Sequence, residues 1–115
     1  MYSKNDVKSI VEHAGRLGVR VIPEFDNPGH VRSIGLDPTY REAIRCFSKD
    51  WTYSLSGAYR IRGGPPTGAF DPSYPVVYDI LSSILSEYNT DFPDGMVHLG
   101  GDEVLTSCYN ENPDL

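Results

Sequence analysis

The sequence predicts an α/β fold with a parallel sheet, and three observations carry that prediction. Two segments in which apolar residues recur at helical spacing, beginning near Asp6 and near Val76, each lead into a short, mostly apolar run. Each run ends in Gly or Pro flanked by acidic residues and a histidine: EFDNPGH at 24–30 and HLGGDE at 98–103. Helix crossovers make the strands they join parallel, and parallel α/β proteins place their chemistry outside the carboxyl ends of the strands. The two acidic ends are therefore expected to face one pocket.

The elements follow in order along the chain. Asn5 or Asp6 can cap a first helix over residues 6–17, where Val7, Ile10, Val11, Ala14 and Leu17 fall at helical spacing and Gly18 supplies a C-terminal glycine. Residues 19–25, VRVIPEF, have the composition of a strand buried on both faces of a parallel sheet, and Asp26, Asn27, Pro28 and Gly29 end it as turn residues. Residues 31–74 are rich in Gly and Pro and read as a long irregular loop, broken by a short helix near 38–44. Loops of that length inside a compact domain are usually functional. Val76, Val77, Ile80, Ile84 and Leu85 then mark a second amphipathic helix, and a turn at 91–95 leads into a second strand at 96–99.

Composition narrows the function. The chain has 115 residues, enough for one domain at most, and is treated as a single unit over 1–115. Its formal net charge of -6 repels phosphate backbones and anionic lipid, so nucleic acid is not expected as a partner. No apolar run reaches the roughly 20 residues of a membrane span, and the first ten residues lack the apolar core of a signal peptide. No recognised ligand spacing supports a metal site among His30, His98, Asp102 and Glu103, and no cofactor is implied.

The motif VIPEFDNPGH, followed later by HLGGDEV, resembles the family 20 glycoside hydrolases, the β-N-acetylhexosaminidases of the lysosomal animal type. The connecting GAFDPSYPVVYDILSSILSEYNTDFPD looks like the family's segment before its catalytic strand. This resemblance implies a (β/α)8 TIM barrel, of which the chain would be a partial copy: about two parallel strands, near the third and fourth, with their helices and a long loop. It places a sugar-holding arginine upstream and pocket-closing tryptophans downstream, so the chain reads as a fragment of the catalytic domain. The implied activity is retaining, exo-acting removal of terminal N-acetylglucosamine or N-acetylgalactosamine from glycans or glycolipids. The implied parent is lysosomal or secreted, without a membrane span, and dimeric. A catalytically inactive truncated chain or a carbohydrate-binding remnant is the alternative.

The resemblance also gives the residues roles. Glu103 is the general acid and then the base; Asp102 orients the substrate's own 2-acetamido group, whose oxygen attacks C1 in place of an enzyme nucleophile. His30 lies beside the catalytic glutamate, and Asp26 supports the site from its strand end, with Glu24 sharing its strand parity as a second substrate-binding candidate. Gly100 and Gly101 would allow the bend at the strand end and close approach of the sugar. Plainer readings stand beside these. A histidine after Pro and Gly also serves as a turn residue, and acidic strand ends also bond backbone amides. His98 reads as a core histidine and His13 as a surface one, while Trp51, Tyr53 and Tyr59 could stack on sugars or pack within their own loop. Cys46 and Cys108 could be buried thiols, but the resemblance implies that they form a disulfide.

Overall fold

The computed structural model describes residues 2–47, 51–55, 59–64, 68–104 and 106–110. Helix α1 runs over Lys4–Arg16 and starts earlier than its apolar spacing suggests, because Ser3 is the cap. The Ser3 hydroxyl accepts the Asp6 N–H at 3.2 Å, and the Asp6 carboxylate accepts the Ser3 N–H at 2.7 Å. These reciprocal bonds form a capping box. Asp6 thus contributes from the third helical position rather than as the cap. The chain leaves α1 through Gly18, whose φ of 70° suits a residue without a Cβ.

The segment expected to be irregular has structure of its own. Short 3-10 turns occupy Ile34–Leu36 and Arg41–Ala43, the second falling within the predicted short helix. Strand β1 (Ile44–Arg45) pairs antiparallel with β4 (Ala69–Phe70), and β2 (Trp51–Leu55) pairs antiparallel with β3 (Tyr59–Gly64). Long-loop status is thereby corrected to two small antiparallel pairs. The side chains of Trp51, Tyr53 and Tyr59, offered as sugar platforms, lie outside the described residues.

Helix α2 spans Pro75–Asp91, with Pro75 in the first turn, where its missing N–H costs no helical bond. Its face carrying Val77 closes a core formed with Val31, Ala43, Ile44 and Phe70, against which Phe25, Ile34, Phe47 and Ile80 pack. The core therefore lies between α2 and the 31–74 segment. Lys4 joins the two helices on the outside through Glu87 at 3.2 Å and Asp91 at 3.8 Å. Among the described residues no helix is long and apolar enough to cross a membrane.

The runs predicted as parallel strands at 19–25 and 96–99 do not form extended strands, and they meet in a single parallel bridge. Glu24 and His98 form a parallel bridge, in which His98 N–H donates to the Pro23 carbonyl at 2.9 Å and Phe25 N–H donates to His98 at 3.0 Å. Parallel direction is as expected; burial on both faces is not. Ile22 is 46% exposed and Leu99 49%, and Val19, Met96 and Val97 are exposed as well. Apolar β-branched runs of this type need neighbours on both sides of the sheet, and the described residues supply them on one side.

Candidate active site

Beyond the bridge, both segments turn, and their turns interlock. Asn27 N–H reaches the Leu99 carbonyl at 3.2 Å, and the Asn27 side-chain amide donates to Leu99 and Phe25 carbonyls, each at 3.0 Å. Asn27 thereby pins one strand end to the other. Gly100, with φ of 66°, passes so close to Asp26 that an added Cβ would stand 2.7 Å from the Asp26 Cα. The contact that requires glycine here is with Asp26. Gly101 then donates its N–H to Asp26 Oδ1 at 2.9 Å.

His30 sits between the two motifs. Its Nε2 lies 3.7 Å from Asp26 Oδ2 and 3.4 Å from Glu103 Oε2. A Cβ on Gly29 would lie 3.5 Å from the Asp102 carbonyl and 3.8 Å from that of Glu103, so the turn before His30 packs directly on the acidic pair. Both His30 and Glu103 adopt left-handed backbone, with φ of 60° and 50°. Non-glycine residues in that region are uncommon and concentrate at functional sites, where the surrounding structure holds them.

The Gly101 amide is the main influence holding the Asp26 carboxyl below the ordinary aspartate range; burial opposes it, while Asp102, His30 and His98 assist. Ligand-capable atoms of Asp26, His30 and Asp102 lie within 4.8 Å of one another. Glu24 stands apart from this group: its carboxylate faces His98 Nδ1 at 3.4 Å, and that nitrogen also takes the Gly100 N–H at 3.1 Å. His98 is exposed, with the Glu24 carboxylate beside it, which corrects its reading as a core histidine. His13 is on the surface. Proline-glycine turn chemistry and the DE pair were visible in the sequence; the Glu24–His98 pair was not, since nothing local signals a partner on the other strand.

Cys46 and Cys108 are joined in a disulfide, and Cys108 is buried. It ties the segment following Glu103 to the end of β1.

Comparison with known proteins agrees with the motifs. A family model described as "Glycosyl hydrolase family 20, catalytic domain" matches residues 1–115. The chain belongs to glycosyl hydrolase family 20. Beta-hexosaminidase subunit beta of Felis catus is 37% identical over 121 residues, covering 100% of this chain and 19% of the relative. Beta-hexosaminidase subunit alpha of Bos taurus is 37% identical over 119 residues, covering 100% and 20%. A crystal structure of a beta-N-acetylhexosaminidase superposes with a TM-score of 0.74 at 33% identity, covering 98% of this chain and 22% of that one. The exo beta-N-acetylglucosaminidase of Vibrio harveyi in complex with N-acetylglucosamine gives 0.70 at 25% identity, covering 98% and 16%. This family 20 chain thus spans about a fifth of the length of the curated relatives it matches, and its neighbours imply a TIM-barrel-type fold.

Proposed function

We propose that the chain is a section of a β-N-acetylhexosaminidase barrel, contributing two adjacent parallel strands near its third and fourth positions, and that its strand ends form part of the active site. The observation carrying this reading is the approach of His30 Nε2 to Glu103 Oε2, at 3.4 Å, across two segments far apart in sequence. In this reading Glu103 protonates the leaving glycosidic oxygen and afterwards takes a proton from the attacking water. Asp102 holds the 2-acetamido group whose oxygen attacks C1 and stabilises the positive charge of the cyclic intermediate, so configuration is retained without an enzyme nucleophile. His30, bridging Asp26 and Glu103, orients the Glu103 carboxyl; Asp26, held by Gly101, fixes His30. Glu24, turned to His98, serves to set the strand register rather than to touch the sugar.

Terminal N-acetylglucosamine or N-acetylgalactosamine on glycans or glycolipids is the substrate class, in keeping with the names of the relatives. The parent is proposed to be lysosomal or secreted and dimeric, and the disulfide supports an oxidising compartment. Open apolar strand faces favour a second reading for residues 1–115 taken alone, an inactive or merely sugar-binding chain.

Glu103→Gln in the full-length protein tests the assignment. Hydrolysis of a natural disaccharide should fall at least about 100-fold, and hydrolysis of an activated aryl glycoside, whose leaving group needs little protonation, should fall less. Near-normal turnover of the disaccharide would remove Glu103 from the mechanism.

A further inference from the structure

Asp71 is the one polar or charged residue buried to 0% exposure among the described residues, and the proposed chemistry does not use it. Its carboxylate is held by Ser73 and Arg45. One oxygen accepts the Ser73 N–H at 3.0 Å and the Ser73 hydroxyl at 2.7 Å; the other accepts both Nε and Nη2 of Arg45. Burial disfavours the charged carboxyl, yet the Ser73 and Arg45 hydrogen bonds outweigh it and hold Asp71 below the ordinary aspartate range.

From this residue two short paths, each combining covalent and non-covalent links, lead toward the two halves of the site. Toward the N-terminus, Phe70 donates its N–H to the Pro28 carbonyl at 2.8 Å, two residues before His30. Through Arg45, the adjacent Cys46 is disulfide-bonded to Cys108, which follows Glu103 in the same segment. Asp71 itself donates its N–H to the Ala43 carbonyl at 2.9 Å, and Arg45 pairs with Ala69 across β1 and β4. Burial and the Asp71 carboxylate also push the Tyr109 phenol up, so the residue after Cys108 lies within reach of the same charge.

We propose that Asp71 and Arg45 form a positioning pair that holds the His30 turn and the Glu103 segment in fixed relation to each other. The proposal rests on the assignment of His30 and Glu103 to the site. A cysteine bridge alone fixes one point on the Glu103 segment and leaves its anchor at Cys46 free to swing about β1. The ion pair, two Arg45 nitrogens on one Asp71 oxygen, removes that freedom by locking β1 to the residue that follows β4, and β4 is bonded to the His30 turn. Arginine brings two donors to that oxygen from one planar group, and a lysine at 45 would keep the charge while losing one of the two contacts.

Hydrogen exchange read by mass spectrometry on the oxidised full-length protein tests this without substrate. In Asp71→Asn and in Arg45→Lys, amides at 29–31 and at 101–109 should exchange faster together, by at least about tenfold in Asp71→Asn and less in Arg45→Lys, with Lys4–Arg16 unchanged. In active protein kcat should fall while KM changes little, because binding surfaces persist and the acid is misplaced. Acceleration confined to 69–75 would overturn the proposal, and so would acceleration that includes Lys4–Arg16 in both variants, which would mark a pillar of the whole fold. If Asp71→Asn fails to fold, Arg45→Lys decides alone. Paired acceleration in a protein with no hydrolase activity would sink the enzyme reading and leave the positioning pair standing.

Discussion

Gly100 and Gly101 are neighbours in sequence with unlike reasons for being glycine. A Cβ at Gly100 would meet Asp26 Oδ1 at 2.2 Å and the Asp26 backbone beyond it, whereas at Gly101 nothing stands within 4 Å. Gly100→Ala should therefore destabilise the protein by about 1–3 kcal/mol through overpacking, on top of the backbone cost of a left-handed alanine. Gly101→Ala should carry backbone cost alone, and thermal denaturation of the two variants should separate them in that order. Equal midpoints would mean that the Asp26 turn simply moves away. Asp26 itself gives a pH prediction. Its folded carboxyl lies below the ordinary aspartate value of 3.8, so the stability it contributes is in full force above that pH and is lost as pH falls through the lower folded value. The gap in melting temperature between the parent protein and Asp26→Asn should be constant at neutral pH and close below about pH 4. A gap that widened on acidification would reverse the sign of the Gly101 interaction.

At the scale of elements, what could be read from the sequence divides by how local its cause is. Both helices were legible because periodic apolar residues, and for the first a terminal glycine, act within a few turns; the first cap was misplaced, at Asn5 or Asp6 instead of Ser3. Strand ends were legible because turn residues and paired carboxylates announce themselves. Strand burial was misjudged, since Ile22 and Leu99 take their burial from whatever packs against the sheet and composition cannot say whether that is present. The β2–β3 pair was missed although WTYSL alternates, because the Gly and Pro around it suggested irregular chain. The joining of Cys46 to Cys108 came from family resemblance, and no periodicity contains it. Its loop has a sequence separation of 62, for which loss of the bridge should cost about 4 kcal/mol in the chain-entropy model. Urea denaturation of Cys46→Ser/Cys108→Ser should show a correspondingly lower midpoint. A shift under about 1 kcal/mol would mean that the unfolded chain is already constrained there or that the bridge strains the fold.

The whole molecule is more open than its length requires. Its radius of gyration is 16.8 Å, where a closed domain of this length has about 13 Å. Its core is small, and Val19, Ile22, Met96, Val97 and Leu99 present apolar side chains from the paired segments to solvent. A sheet of this kind offers unpaired edges and an uncovered face, both of which promote association between chains. The site is open too: the Glu103 side chain is 50% exposed, so water competes for every hydrogen bond the acid and its substrate would make. Preorganised charge stabilisation depends on excluding that water, and losing it costs many powers of ten in rate. Purified residues 1–115 should therefore release no measurable chromophore from an aryl N-acetylglucosaminide, and should elute as aggregates in size-exclusion chromatography or bind a hydrophobic dye at neutral pH. The longer protein should do neither while hydrolysing the same substrate. A monomeric 1–115 sample that unfolds cooperatively and loses its activity on Glu103→Gln would overturn this, because two strand ends would then suffice to build the site that the rest of a barrel is proposed to complete.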